Sequence, residues 1–184
     1  MQTVQNTAWQ SMAEEQVLQC GAILEDWLRT SGSMTERLLK ASGYNLQVKV
    51  LRQAWLAITE DEAQTLGIAD DELALVRETL LCNGEQPWIF ARSVFPKKLF
   101  CGSEQYLAQQ LDTTPIGKIL YRHEAMQRSP LMFTSFEIGD EEYQRALQYS
   151  QFHPEKLWAR RAIFFLHQKP LLVSEYFLPE IEAQ

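Results

Sequence analysis

The chain has 184 residues, 46% of them hydrophobic, and its 17 Lys and Arg against 24 Asp and Glu give a formal net charge of -7. That length and apolar content predict one domain whose core is large enough to enclose a small ligand. The negative charge disfavours nucleic acid, and neither an export signal nor a membrane-spanning apolar run is visible, so we expect a cytoplasmic protein that binds neither nucleic acid nor membrane.

The first third of the chain predicts two helices and a strand. Apolar residues recur at helical spacing over residues 9–30. Ser33 and Glu36 form an S-x-x-E capping pair, which predicts a short second helix that ends near Gly43. Over residues 44–58 the period changes to two, which is typical of strands.

The middle of the chain contains the clearest local structure, a β-hairpin. Residues 72–82 and 88–95 flank Asn83-Gly84-Glu85-Gln86 as two antiparallel strands. The acidic residues 59–67 before the hairpin predict one helical turn. Residues 103–111 and 113–120 after it predict two short helices.

The last third predicts an extended segment at residues 132–138, an exposed helical excursion at 139–152, and a second hairpin made by 158–167 and 171–178. Hairpins with helices between them favour an α+β fold, an antiparallel sheet with helices on one face. The cysteines and histidines are scattered, so we expect neither a disulfide framework nor a metal site.

Three charged residues interrupt apolar strand faces: Arg77 among Leu75 and Leu81, Arg92 among Phe90 and Val94, and Glu175 among Val173 and Phe177. A buried ion needs an opposite charge, a ligand or water. The arginines could pair with Glu175 or Glu78 inside the sheet, or reach solvent along their stems. Alternatively, these charges could line a pocket for a small anion, because arginine binds a carboxylate with two parallel hydrogen bonds. The pattern leaves both explanations open.

Ordered segments along the chain resemble the chorismate pyruvate-lyase family of ubiquinone biosynthesis. The segments are Asp26-Trp27-Leu28, Ser33-Met34-Thr35-Glu36-Arg37-Leu38, Val76-Arg77-Glu78-Thr79-Leu80-Leu81-Cys82, Pro87-Trp88 with Ala91-Arg92, Thr114-Pro115-Ile116-Gly117, Leu157-Trp158-Ala159-Arg160-Arg161, and Lys169-Pro170-Leu171-Leu172-Val173-Ser174-Glu175 with Phe177-Leu178-Pro179. Together they follow the family order over roughly residues 24–179.

This resemblance implies a six-stranded antiparallel sheet with two helical flaps over an enclosed ligand site, in one domain at residues 24–179. A helical extension at 1–23 would precede the domain and a tail at 180–184 would follow it. The implied reaction is a lyase reaction that converts chorismate to 4-hydroxybenzoate and pyruvate, the first committed step toward ubiquinone. The resemblance further implies a monomer that needs no metal or organic cofactor. An enclosed site should release product slowly, so we also expect inhibition by 4-hydroxybenzoate.

The resemblance also assigns roles to individual residues. Arg77 is expected to bind the ring carboxylate, and Glu175 to face the 4-hydroxyl and the reacting ether. Met34 and Ile116 are expected to line the pocket and to contribute backbone contacts from the flaps. Arg92 is expected nearby, on the second carboxylate. Whether Glu175 transfers a proton or only orients the substrate stays open.

Two other classes of function compete with the enzyme. Effector domains of GntR-type transcription regulators resemble this fold, so a non-catalytic sensor of a small aromatic acid is the alternative. Such domains follow a DNA-binding winged helix, whereas only about two dozen residues precede the matched region here. An interaction module whose buried ions merely pair is the third possibility. Incubation with chorismate alone would separate the three.

Overall fold

The described residues form one antiparallel sheet of eight strands. The structure is a computed structural model that describes residues 9–11, 18–101, 116, 120 and 126–183. The strands are β1 (Gln10–Ser11), β2 (Leu46–Leu56), β3 (Ala74–Asn83), β4 (Gln86–Pro96), β5 (Met126–Arg128), β6 (Met132–Phe136), β7 (Leu157–Leu166) and β8 (Lys169–Phe177). They follow the order β1-β6-β7-β8-β4-β3-β2, with β5 beside β6 on the same edge of β7. The predicted α+β class and antiparallel sheet are therefore confirmed.

The expected count of six strands was wrong, because two strands are very short. β1 has two residues and pairs with β6, whereas β5 has three residues and pairs with β7. Segments of this length are too short to show a period of two. Pairing with β6 and β7, rather than their own sequence, holds them in the sheet.

The expectation that the helices lie on one face was also wrong. The helices of the described residues are α1 (Ala22–Leu28), α2 (Met34–Ala41), α3 (Glu60–Leu66) and α4 (Glu141–Leu147), with 3-10 turns at Lys97–Phe100 and Pro179–Ala183. α1 and α2 pack on one face of the sheet, and α3 and α4 pack on the other. None of the helices in the described ranges has the length and apolarity needed to cross a bilayer.

Serine and threonine caps set where α2 and α3 begin. The Ser33 hydroxyl accepts a hydrogen bond from the Glu36 backbone N–H, as the capping pair predicts. Thr59 and Glu62 form a reciprocal capping box at the start of α3. α3 therefore spans seven residues instead of the single turn expected from its acidic sequence.

The helix predicted over residues 9–30 is much shorter in the structure. Gln10 and Ser11 pair with β6 as a strand, and helix α1 begins only at Ala22. Gly21 has a φ of 87°, which is incompatible with a right-handed helix and separates α1 from what precedes it. The division into residues 1–23, 24–179 and 180–184 stays a prediction.

The segment at residues 139–152 was expected to be exposed, but α4 buries one side. Tyr143, Ala146 and Leu147 follow the i, i+3, i+4 spacing of a helix face and are buried against Phe90 and Tyr176. The polar residues that suggested exposure occupy the other side of the helix. The two predicted helices at 103–111 and 113–120 lie outside the described residues except for Ile116 and Leu120, so the flap arrangement stays a prediction.

Both predicted hairpins are present. β3 pairs with β4 across a turn at Gly84 and Glu85, and β7 pairs with β8 across a turn at His167 and Gln168. His167 and Gln168 have φ values of 46° and 66°, the left-handed conformation that a two-residue turn between twisted strands requires. Since β4 also pairs with β8, the two hairpins lie side by side at the centre of the sheet.

The alternation of the central strands gives the sheet two chemically different faces. The face under α1 and α2 carries Arg77, Thr79, Ala91, Arg160, Val173 and Glu175, and we call it the cavity face. The opposite face, under α3 and α4, carries Glu78, Arg92, Arg161, Ser174 and Tyr176, and we call it the ion-pair face. Apolar clusters surround the charged residues on both faces.

Candidate active site

A cavity lies between the cavity face of the sheet and the start of α2. Its described lining residues are Met34, Thr35, Val48, Arg77, Thr79, Leu81, Ala91, Ile116, Leu120, Arg128, Leu131, Arg160, Arg161, Ala162, Phe164, Val173 and Glu175. Most of them are apolar, and five are charged: Arg77, Arg128, Arg160, Arg161 and Glu175. Such a cavity binds a small, mostly hydrophobic ligand and orients it by its few polar groups.

Arg77 stands near the middle of β3, opposite Ser93 of β4. The residue is only 2% exposed, so its charge is held away from bulk water. Thr79 follows it on the same face and also lines the cavity. A buried guanidinium in a ligand-sized cavity is suited to bind a carboxylate, since its planar fork matches the two carboxylate oxygens.

Glu175 lies on β8 at the position paired with Arg160 of β7. The Arg160 Nε donates a hydrogen bond to the Glu175 Oε2 over 2.6 Å, and the two side chains are 3% and 16% exposed. The Arg160 Nη1 also donates to the backbone oxygens of Leu28 and Thr30, at 3.0 and 2.7 Å. The carboxylate is therefore fixed in orientation at the cavity wall by a guanidinium that is itself anchored.

Met34 and Ile116 contribute to the wall away from the sheet. Met34 is the first residue of α2, is 3% exposed and lines the cavity next to Thr35. Ile116 lines the same cavity and packs on the apolar cluster that contains Leu120. The structure thus brings Met34, Arg77, Ile116 and Glu175 to one cavity, although Met34 and Glu175 are 141 positions apart in the sequence.

Arg92 is not among the described residues that line this cavity. The structure therefore contradicts the expectation that Arg92 binds the second carboxylate. It pairs with Glu78 in the sheet, on the ion-pair face. Its Nε and Nη2 donate to the two carboxylate oxygens of Glu62 at 2.7 and 3.0 Å, and its Nη1 donates to Glu78 at 2.8 Å. Arg92 therefore matches the alternative in which a buried arginine pairs with a glutamate of the sheet.

These contacts determine the ionisation of the buried network. Burial alone would raise the pKa of Glu62, but the hydrogen bonds and charge of Arg92 reverse this effect and leave that pKa below its usual range. Burial likewise opposes the charge of Arg92, and Glu62 and Glu78 more than compensate, so the pKa of Arg92 is raised. The network on this face is an ion-paired structural element.

Three arginines that line the cavity were not recognised from the sequence. Arg160 shares its strand face with Ala162 and Phe164, the same interruption of an apolar face that had marked Arg77, and that signal could have found it. Arg128 is the last residue of the three-residue β5, where no period is detectable. Arg161 also borders the cavity, but its guanidinium binds Asp61 and lies 4.3 Å from the ring centre of Trp9.

The arrangement of charges fits an organic anion with two acidic groups. Arg160 and Glu175 form an ion pair, and Arg77 and Arg128 are two further cationic residues among the described lining residues. Apolar walls between these charges would accommodate a ring. In a site shielded from water, fixed guanidinium groups stabilise negative charge far more than they do in solution.

Solved structures with the same architecture identify the class of fold. The possible transcriptional regulator YydK of Bacillus subtilis has a TM-score of 0.55 and 17% identity, with 74% of this chain and 60% of that chain covered. The C-terminal domain of the histidine utilization repressor of Pseudomonas syringae pv. tomato also has a TM-score of 0.55, at 12% identity over 73% of this chain and 92% of that chain. At these identities the likeness shows a shared fold alone.

Sequence relatives define the family. The family model described as chorismate lyase matches residues 3–184. A protein of Azoarcus sp. strain BH72 named "Probable chorismate pyruvate-lyase" is 38% identical over 161 residues, which cover 86% of this chain and 85% of the relative. One of the same name from Nitrosospira multiformis is 35% identical over 155 residues, covering 84% and 86%. The chain belongs to the chorismate lyase family.

Proposed function

We propose that this protein is a chorismate pyruvate-lyase, a carbon-oxygen lyase that converts chorismate to 4-hydroxybenzoate and pyruvate. The observation that carries the proposal is the meeting of Arg77 and Glu175 at one cavity, in a chain of the chorismate lyase family. A cationic group for a carboxylate and an acceptor for a hydroxyl match the two polar ends of 4-hydroxybenzoate, and apolar walls match its ring.

The proposed binding mode places the ring carboxylate on Arg77 and the 4-hydroxyl toward Glu175. Because Arg92 lies on the other face, Arg128 replaces it as the candidate for the second carboxylate of chorismate. Met34 and Ile116 would contact the ligand from the side away from the sheet. Arg77, Arg128 and Glu175 would thus fix the dianion at three points.

The chemistry requires no atom beyond those of chorismate. The bond between C3 and the ether oxygen breaks, C4 loses its hydrogen as a proton, and the ring electrons rearrange to the aromatic product. The departing enolpyruvate takes up a proton at its methylene carbon and becomes pyruvate. Since aromatisation supplies the driving force, the protein mainly has to hold a reactive geometry and stabilise negative charge on the departing oxygen. The arginines of the cavity are suited to both tasks.

Several finer features complete the proposal. We expect a monomer that acts in the cytoplasm without metal or organic cofactor and supplies 4-hydroxybenzoate for ubiquinone synthesis. We also expect the product to inhibit the reaction, because helical segments would have to move before an enclosed product could leave.

Incubation of the purified protein with chorismate alone tests the proposal. We expect pyruvate and 4-hydroxybenzoate to appear in equal amounts, the first measured with lactate dehydrogenase and the second by absorbance. Binding of chorismate without turnover would instead favour a sensor, the role suggested by the fold shared with transcription regulators. If the protein neither bound chorismate nor converted it, an interaction module would be the remaining interpretation.

A further inference from the structure

Arg160 connects the carboxylate of the cavity to a segment that lies outside the sheet. It is buried on β7, and its Nε binds the Glu175 Oε2 at 2.6 Å. Because a carboxylate has two oxygens, this contact fixes the orientation of Glu175 and leaves Oε1 as a second acceptor. A flexible glutamate would lose side-chain entropy each time it bound a ligand, whereas a fixed one does not.

The other end of the same guanidinium holds the link between α1 and α2. Its Nη1 donates to the backbone oxygens of Leu28, the last residue of α1, and of Thr30. Four residues after Thr30 the chain reaches Met34, which lines the cavity together with Thr35. One rigid, planar group therefore fixes both Glu175 and the approach to α2.

We propose that Arg160 is a positioning residue that aims Glu175 at the 4-hydroxyl of the ligand and also anchors the end of α1 beside the cavity. This inference rests on the proposed function and adds a residue to it. Arginine suits the task because its guanidinium presents several N–H donors in a fixed fork, so the Glu175 contact and the two backbone contacts share one orientation. A lysine at this position could reach one side but could not span both in the same geometry.

Arg37 provides a matched control, since it holds the same segment without touching Glu175. Its Nη1 donates to the Asp26 backbone oxygen at 2.7 Å and to the Thr30 hydroxyl at 2.5 Å. Its guanidinium also binds the Asp26 carboxylate and lies 4.0 Å from the ring centre of Trp27. Loss of Arg37 would loosen the segment alone, whereas loss of Arg160 would loosen the segment and release Glu175.

The test compares the affinities of 4-hydroxybenzoate and benzoate, which differ only in the hydroxyl that Glu175 is proposed to accept. We expect the wild-type protein to prefer 4-hydroxybenzoate by about 10- to 100-fold, the usual contribution of a hydrogen bond to a charged group. Arg160→Met should bring this ratio close to one and lower kcat at least tenfold. Arg37→Met should weaken both ligands by the same factor and keep the ratio. Arg160→Lys, which keeps the charge, serves as the second variant if Arg160→Met does not fold, and its ratio should also fall.

Three results distinguish the possible failures. An unchanged ratio in the Arg160 variants, or an equal loss of the ratio in Arg37→Met, would show that Arg160 only supports the fold. A wild-type protein that turns over chorismate but binds both acids equally would overturn the positioning role while leaving the reaction intact. A wild-type protein without turnover would overturn the proposed function itself.

Discussion

Arg77 and Arg92 occupy neighbouring positions across β3 and β4, yet their side chains lie on opposite faces of the sheet. Arg77 pairs in register with Ser93, the residue directly after Arg92. Arg77 lines the cavity, whereas Arg92 binds Glu62 and Glu78 on the ion-pair face. Two arginines that look equivalent in the sequence therefore lie in different surroundings, one at the cavity and one in an ion-paired core.

Substitution of Arg92 should reduce stability and leave substrate binding nearly unchanged. Arg92→Met would leave the buried Glu62 and the partly buried Glu78 without their partner, and loss of one partner of a buried ion pair typically lowers the free energy of unfolding by about 3–5 kcal/mol. Urea denaturation measures this loss, and KM for chorismate at a temperature where the variant is folded measures binding. A large rise in KM for chorismate without a loss of stability would indicate that Arg92 takes part in substrate binding.

Acid should weaken the same network, with a sign fixed by the lowered pKa of Glu62. A carboxyl group whose pKa is lower in the folded protein stabilises the fold above its ordinary pKa of 4.5. That stabilisation is lost as the pH falls through the lowered value. The difference in urea midpoint between wild type and Glu62→Gln should therefore be largest near pH 7 and shrink toward pH 3. A difference that stays constant over this range would contradict the assignment.

Glu175→Gln should reduce turnover strongly while the protein stays folded. Glutamine keeps the size of the side chain and one oxygen acceptor, but it lacks the negative charge next to Arg160. Since positioned acid-base groups usually contribute about 10²- to 10⁴-fold, we expect kcat to fall within that range. Pyruvate release gives the rate, and circular dichroism gives the fold. Release at a rate close to that of wild type would show that proton handling takes place elsewhere.

The product should inhibit the reaction. Progress curves recorded with 4-hydroxybenzoate added at the concentration of chorismate should bend early, because product dissociation requires an opening motion. The matched control is benzoate, which lacks the hydroxyl and should inhibit less. Linear curves in the presence of 4-hydroxybenzoate would argue against slow product release.

The alternation along the strands and the order of the family motifs predicted the residues that line the cavity better than they predicted the number of strands in the sheet. Arg77 and Glu175 could be found because each interrupts a long apolar strand face, and both line the cavity. The same signal marked Arg92, since a period of two detects a buried charge without indicating whether a ligand or a glutamate faces it. The ligand-binding role proposed for Arg77 rests on its place in a family motif.

The features that escaped prediction depend on contacts distant in sequence. β1 and β5 are too short to carry a pattern, and only their pairing with β6 and β7 makes them strands. The spacing of Tyr143, Ala146 and Leu147 gives α4 a buried side, but the face of the sheet that it covers follows from the path of the whole chain. Charge composition made residues 139–152 look exposed, although tertiary packing buries one side of their helix.

Binding of 4-hydroxybenzoate to wild type and to Arg77→Ala, measured by isothermal titration calorimetry, tests most directly whether the cavity is the active site. Removal of the buried guanidinium should abolish measurable binding, because the ring carboxylate would then be desolvated without a cationic partner. Circular dichroism should show a folded variant. Unchanged affinity for 4-hydroxybenzoate in Arg77→Ala would contradict the assignment of Arg77 and, with it, the placement of the reaction in this cavity.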